Sequence, residues 1–496
     1  MFSMAAKAES KAGDIAARRA LYYPAFGIYD GVAGFYNYGP VGARIKRKFE
    51  NAWRSLFVER TGALEIETAN IVPEPVLRAS GHLDAFTDPM VSCKSCKTPF
   101  RADKLLEEHY EKKHMGEEAA QVKRMDAVQL DAAIRKEGIR CQRCGGELGK
   151  VEKFNMTFRT QIGPAGGVAG YLRPETAQSI FVDFIHLYKT QGLKLPAGIA
   201  QIGRAYRNEI SPRQQLVRLR ELTQMDLEIF IDPDDEPDEV LGFGMESVLR
   251  EEISFLAKDA SEERNASLAS LLKAGTIPNR YFALLIYLQE TLMRRLGVDE
   301  KLYRFRELEK EELPHYSKGN LDLEMSTSYG YIELSGTAYR TDWDLSQHAK
   351  ESGKDLSVLS PSGKRIVPHV VEATMGADRP VFAILDNSVV DDDGRGWAWL
   401  KLSERIAPYR YAVFPLQKDE KLIARARSAY GALQDRGVEC YYSETASIGK
   451  RYARADEIGV PYCITIDYQT LEDDTVTVRD RNTTKQERKP AGSIDA

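Results

Sequence analysis

Between residues 40 and 60 the chain places Ile45, Phe49, Trp53, Leu56 and Phe57 at spacings of three and four, with Lys and Arg among them. That period predicts an amphipathic helix with a basic outer face. The stretch TGALEIETANIVPEP reads as a strand closed by prolines. Residues 87–150 change character, because two CxxC pairs bracket a Lys/Glu-rich run, and this predicts a small inserted module. From residue 151 the apolar pattern resumes, with KFNMTFRTQIG, a glycine-rich loop GPAGGVAGYLRPE and a helix over TAQSIFVDFIHLYKT. Strand-like runs follow at 198–210 and 218–232, and DPDDEPDE is a solvated break. Residues 238–312, rich in Leu, Glu, Arg and Ala, read as helical, and strand patterns return at YGYIELSGTAYR and HVVEATMGADRPVFAIL. After about residue 405, strands at YRYAVFPL, VECYYSE and PYCITID alternate with helices at KDEKLIARARSAYGALQDRG and SIGKRYARADEIG. Alternation of this kind predicts an α/β unit with a mostly parallel sheet.

A chain of 496 residues is too long for one core, so several domains are expected. The net charge of −5 announces no nucleic-acid partner, which would have to be met by local basic patches. No run of eighteen apolar residues predicts a membrane span. The N-terminal stretch lacks a continuous apolar region, so no signal peptide is expected. Six cysteines make no disulfide framework; four lie in two CxxC pairs, which suits metal binding in a reducing cytoplasm. Cys440 and Cys463 read as buried thiols, and the tail RDRNTTKQERK as solvated charge.

The densest charge in apolar surroundings is RAYRNEIS at 204–211, followed by SPRQQ and RLRELTQMDLEIF. Arg207 and Glu209, two apart on a strand, would share a face, with Asn208 opposite. Arg218, Arg220 and Glu221 would open the next strand. Such a pair could grip a phosphate and hydrogen-bond a purine; an exposed hairpin is the alternative.

These residues resemble the second signature of the class II aminoacyl-tRNA synthetases, Arg-x-Glu, a loop, then Arg-x-x-x-Phe. TMGADRP (374–380) resembles the third signature, and LEIETANIVPEP, ending its match at Pro73, the first, which in that family forms a dimer interface. No HIGH, KMSKS or GxxxxGK[ST] motif is present. The stretches GPAGGVAGYLRPETAQ, YRNEISPRQQLVRLRELTQ, YGYIELSGTAYRTDWDLSQHAK and VPHVVEATMGADR resemble the glycyl-tRNA synthetases of homodimeric type. The resemblance implies an α+β catalytic domain with a six-to-seven-stranded antiparallel sheet (1–86, 151–236 and 315–400), a zinc-ribbon insertion (87–150), a helical insertion (237–314) and a C-terminal α/β anticodon-binding domain (401–496). It implies ATP-dependent attachment of glycine to tRNA-Gly through a glycyl-adenylate, in a cytoplasmic homodimer. An inactive paralogue serving as an RNA-binding subunit is the alternative, but such paralogues usually lose the signature arginines, and both are present.

By the same resemblance, Arg207 and Arg379 are catalytic. ATP would be held by Arg207, Asn208, Glu209, Arg218, Leu219, Leu222, Glu333, Leu334 and Arg379, with Mg²⁺ neutralising the phosphates. Glycine has no side chain to read, so only its ammonium and carboxylate can be gripped and larger amino acids must be refused space. Matching positions are Glu175, Asp226 and Glu372 around the ammonium, with Ala373, a filling Thr374, and Arg340 to balance the acids or hold substrate. Leu222, Asp226 and Thr374 depart from the family's commoner Phe, Glu and Ser.

Cys93, Cys96, Cys141 and Cys144 form two knuckles that suit a tetrahedral, structural Zn²⁺. A rival set exists, because His109 and His114 follow Cys96 at zinc-finger spacing, with Phe100 and Leu106 at core positions. His348 is expected to be a core or surface residue without a role.

Overall fold

The computed structural model describes residues 10, 12–164, 167–309, 312–313, 317–392 and 394–494. Residues 1–9 and 11 of the N-terminal stretch read for a signal peptide, and residues 165–166 of the glycine-rich loop, lie outside the described residues.

The helix expected from the 45–49–53 spacing is present as α1, Pro40–Arg54, with proline in its first turn and Ile45, Phe49 and Trp53 fully buried. A π-helical turn at Ser55–Glu59 continues it and buries Leu56 and Phe57 as well. The extra residue per turn absorbs the shift in apolar spacing and lets Phe57 stack on Trp53, with ring centroids 5.0 Å apart.

The centre of the molecule is a sheet of nine strands, numbered here along the chain as β1 (Leu64–Glu65), β2 (Ala197–Tyr206), β3 (Glu221–Ile231), β4 (Glu252–Leu256), β5 (Arg264–Ser267), β6 (Tyr303–Glu307), β7 (Asn320–Thr327), β8 (Gly330–Thr341) and β9 (His369–Gly376). Their order across the sheet is β5-β4-β6-β7-β8-β9-β3-β2-β1. The six strands from β6 to β2 are antiparallel throughout, and β1 joins β2 in parallel. This is the expected six-to-seven-stranded sheet, lengthened at the far edge by β4 and β5.

Those added strands correct the helical reading of 237–314. The segment does supply helix α3, Arg280–Leu296, whose apolar face packs into the main core. Yet β4, β5 and β6 also come from it, so it extends the sheet rather than standing apart. The misreading has a cause: short runs of alternating burial such as EISFL (252–256) cannot compete with the long Leu- and Arg-rich helix beside them.

Each face of the sheet has its own cover. In β3 the odd residues Met225, Leu227, Ile229 and Ile231 enter the large core with α1 and α3, which also takes in the helix after β9, Asp378–Ser388. The even residues face the other way, where Phe230 stacks on Phe184 at 4.0 Å between centroids. Helices Ala177–Thr190 and Trp343–Ser352 cover that second face. Gln224, Asp226 and Glu228 share it, because side chains alternate along a strand.

Residues 87–155 form a module with its own three-stranded sheet, three helices and an independent core around Val91, Leu106, Leu130 and Ile134. The C-terminal domain holds three parallel strands, Cys440–Tyr442, Tyr411–Pro415 and Tyr462–Ile466, extended by an antiparallel hairpin of Thr475–Asp480 and Gln486–Pro490. Residues 482–489 of the polar tail are exposed, as expected, and the hairpin corrects the solvated reading only at the tail's start. Arg479 and Arg481 are buried, the first paired with Asp456 and the second donating to the carbonyls of Gly459 and Leu402. Cys440 and Cys463 are buried, as expected.

Candidate active site

At one end of the sheet, Arg207, Glu209, Arg218, Leu219, Leu222, Glu333, Leu334 and Arg379 line a single cleft of about 640 Å³. Arg207 and Glu209 sit just beyond the end of β2, and Arg218 and Leu219 just before β3, so the loop ends rather than the strands carry them. The chain is fixed there by backbone bonds, with Arg207 N–H donating to the Arg220 carbonyl at 2.9 Å and Asn208 N–H to the Met156 carbonyl at 2.7 Å. Asn208 does not line the cleft. Arg220 is structural: it donates to the carbonyls of Ala33 and Glu209, both at 2.7 Å.

Arg207 is held by a neutral acceptor, whereas Arg379 and Arg218 each face a carboxylate. Arg207 Nε donates to the Pro174 carbonyl at 3.2 Å, and its guanidinium lies 5.7 Å from the Phe86 ring centroid. Arg379, second residue of its helix, donates to the Val217 carbonyl at 2.9 Å and to Glu333 Oε2 at 3.1 Å. The Glu333 side chain is 50% exposed, so this ion pair adds little stability and can open to a ligand. Arg218 Nε lies 3.9 Å from Glu209 Oε2. Burial pulls the Arg218 guanidinium below its ordinary pKa, and Arg101, Arg379 and Arg213 add to that pull against Glu209. A site that makes cations uncomfortable is primed for a polyanion.

Beside the cleft, on the second face of the sheet, lies a buried acidic pocket. Thr374 lines the cleft and pairs in register with Asp226, while Glu372 pairs with Glu228. Glu175 enters from the turn before the Ala177–Thr190 helix, and Arg340 from β8. A bulge between Tyr339 and Thr341 takes Arg340 out of register. The bulge aims its guanidinium inward, where it grips both Asp344 oxygens at 2.6 and 2.9 Å and Glu372 Oε2 at 2.8 Å, and lies 3.9 Å from Glu175. Arg340 is thus placed to balance the acids. Ala373 points to the opposite face and packs in the main core.

The carboxyls of this pocket differ in charge state. Burial pushes Glu175 up, but His82 at 3.8 Å, Arg340 and the Gln178 amide at 2.8 Å together outweigh it and leave the group below its usual range. Burial lifts Asp226 to about 7 despite a bond from Thr176, and Glu175 adds to the rise. Glu372 is also lifted to about 7 by burial; Arg340 pulls against the rise, and Glu175 and Asp226 add to it. Glu228 is pushed well above its ordinary value by burial and by Glu372.

In the 87–155 module, the four cysteine sulfurs all lie within 4.8 Å of one another, a set that could hold a metal ion. His109 instead meets Glu137 at 3.3 Å, and His114 is exposed, so the four-thiolate set is the one that converges. The module also reaches the cleft: Glu108 accepts from Arg213 at 3.2 Å, in the loop that ends at Arg218.

The chain is 40% identical to a glycine–tRNA ligase of Aeropyrum pernix over 97% of its own length and 94% of that protein's. It is 39% identical to that of Pyrococcus furiosus (96% and 95% covered) and 35% identical to that of Methanocaldococcus jannaschii (96% and 96%). The chain belongs to the glycine–tRNA ligase family. Residues 411–494 match the family described as Anticodon binding domain, which is the α/β unit with the terminal hairpin. Among solved structures, the prolyl-tRNA synthetase of Giardia lamblia in complex with prolyl-adenylate superposes with a TM-score of 0.60 at 13% identity, covering 98% of this chain and 75% of that one. That likeness establishes a shared class II synthetase fold.

For this member of the family, sequence reading missed Asp344, Glu228 and Gln178, whereas His348 is buried in line with the expected core residue. Asp344 anchors Arg340, and Gln178 links Glu175, Asp344 and His348 Nε2, the last at 2.8 Å. A signal existed in part: Gln178 and Asp344 stand within RPETAQ and TDWD, inside the very stretches that carried the resemblance.

Proposed function

We propose that the protein activates glycine with ATP and transfers it to tRNA-Gly. The observation that carries this reading is the adjacency of the arginine-lined cleft and the buried carboxylate pocket, joined through Thr374, in a chain of this family.

Glycine's carboxylate is already ionised, so no general base is needed for the first step. It attacks the α-phosphorus of ATP, the bond to the β-phosphate oxygen breaks, and glycyl-adenylate and pyrophosphate result. Arg207 holds the α-phosphate beside the incoming carboxylate, Arg218 and Arg379 hold the outer phosphates, and Glu209 accepts from the adenine amino group. Positioning and fixed charge do the catalytic work. The 3′-terminal ribose hydroxyl of tRNA then attacks the glycyl carbonyl and AMP leaves. In the acidic pocket Glu175, Asp226 and Glu372 attract the ammonium, and Thr374 occupies the space into which a side chain would grow.

Two carboxylates fit Mg²⁺. Gly336 leaves the space between them open: a Cβ there would lie 3.6 Å from Asp322 Oδ1 and 4.0 Å from Glu333 Oε1. Burial and Glu333 together lift Asp322 to about 8, a strain that a cation would relieve. Mg²⁺ supplies neutralisation of phosphate charge when bound. The four cysteines hold a structural Zn²⁺ that ties the ribbon ends together. A homodimer is supported by exposed Ile71, Ile162 and Val168 on the small sheet that carries the first signature. No helix among the described residues is long and apolar enough to cross a membrane; we place the protein in the cytoplasm.

The test is charging of tRNA-Gly with labelled glycine by the purified protein. Acid-stable, alkali-labile glycyl-tRNA formed only with ATP present supports the reading; binding of tRNA with no charging supports the inactive-paralogue alternative.

A further inference from the structure

The acidic pocket holds more carboxyls than its cations can balance. Strand β3 contributes Asp226 and Glu228, β9 contributes Glu372, the turn before the Ala177–Thr190 helix contributes Glu175, and the Trp343–Ser352 helix contributes Asp344. Facing them are Arg340 from β8 and, at the edges, Arg173 and Arg207. Arg173 is committed elsewhere, to the Arg204 carbonyl at 2.7 Å and the Thr68 hydroxyl at 2.7 Å. Arg207 belongs to the cleft. The two histidines on the pocket's rim, His82 and His348, are both pushed below the ordinary imidazole value by burial, and His82 Nε2 lies 3.8 Å from Glu175 Oε1.

Hydrogen bonding tells the same story. Asp226 Oδ1 and both carboxyl oxygens of Glu228 are buried without a hydrogen-bond partner among the described residues. Asp226 and Glu228 are each 0% exposed. An ionised carboxylate in that situation carries a penalty of several kcal/mol. A proton on the group removes the penalty, and so does an ammonium placed among the oxygens.

We infer that glycine enters this pocket by exchange, its ammonium taking the place of a proton carried by the Asp226 and Glu372 carboxyls, while Glu228 stays behind them as a neutral acid. The inference rests on the reading that these carboxyls receive the glycine ammonium. The balance is simple. A carboxylic acid plus glycine's –NH₃⁺ becomes a carboxylate paired with –NH₃⁺, and one proton goes to solvent; no covalent bond in glycine changes. Both exchanging groups sit near pH 7, so the sign follows. Below that pH the pocket is protonated and glycine must displace a proton; above it the carboxylates are already free and glycine binds without exchange. The exchange also aids selectivity. An uncharged ligand cannot replace the proton's charge, so it meets a pocket that stays closed by its own acids.

The experiment is calorimetric titration of the full-length, zinc-loaded protein with glycine, in two buffers of different ionisation enthalpy at the same pH. The difference in apparent heat counts protons released. The expected result is about half a proton per glycine near pH 7, approaching one near pH 6 and falling toward zero near pH 9. Correspondingly, KM for glycine in pyrophosphate exchange should fall about tenfold between pH 6 and pH 8, with kcat changing far less. Asp226→Asn removes one proton carrier, so it should lower the proton count and flatten the pH dependence of KM while weakening glycine. Glycine binding with no proton exchange from about pH 6 to about pH 8 would overturn the inference and leave the proposed function standing. Absence of both glycine binding and exchange activity would instead overturn the proposed function itself.

Discussion

In the cleft, Arg207 and Arg379 rest on the backbone carbonyls of Pro174 and Val217, and Glu333 is half exposed. In the pocket beside it, Arg340 is spent on Asp344 and Glu372, and the remaining carboxyls have no such partner. The cleft keeps its cations usable by anchoring them to backbone carbonyls and by leaving Glu333, the carboxylate partner of Arg379, half exposed and able to yield to a ligand. The pocket keeps its anions usable by burying them, at the cost of holding protons until a ligand arrives. A polyphosphate is large and carries counter-ions, so a wide, wet site suits it; glycine offers one ammonium, and only a dry site gives that single charge enough weight to matter.

The largest expected effect breaks the cleft side of this contrast. Arg207→Ala should reduce glycine-dependent pyrophosphate exchange by about 10³-fold or more while the melting temperature stays near that of the parent. Normal exchange by that variant would remove Arg207 from the mechanism. On the pocket side, Glu372→Ala should raise KM for glycine about 100-fold and KM for ATP little, because it removes a buried partner of the ammonium. Equal rises in both would mean the two regions are not separate. Arg340→Met tests the claim that this cation is structural: it leaves Asp344 and Glu372 uncompensated and should cost about 3–5 kcal/mol of stability, read from denaturant midpoints. Retained stability with lost glycine binding would make Arg340 a substrate ligand instead.

The metal set gives a sharper but smaller test. Cys141→Ser should lose the bound zinc, whereas the double change His109→Ala with His114→Ala should keep about one zinc per chain by elemental analysis. The smallest effect concerns Leu222, which lines the cleft where the family more often has Phe. Leu222→Phe should tighten ATP about fivefold, the value of about 1 kcal/mol of aromatic stacking.

Much of the cleft was legible because its residues are local. Arg207 and Glu209 stand two apart, and a strand-end loop keeps such neighbours together whether or not the strand itself reaches them. The pocket was half legible. Asp226, Glu372 and Glu175 came through resemblance, but Glu228 looks like one more alternating strand residue until its cross-strand partner proves to be Glu372. Asp344 matters only because a bulge turns Arg340 toward it, and no local pattern announces a bulge. The 237–314 segment failed for another reason. Its short edge strands gain their stability from pairing with β6, a long-range contact that helical composition hides.

The account depends most on a site that reads an amino acid by its ammonium and by the lack of anything beyond it. Pyrophosphate exchange measured with glycine, alanine and serine in turn addresses that directly. We predict exchange with glycine and kcat/KM at least about 100-fold lower for alanine and serine, from the missing space at Thr374. Alanine or serine exchanging at a rate comparable to glycine would contradict it.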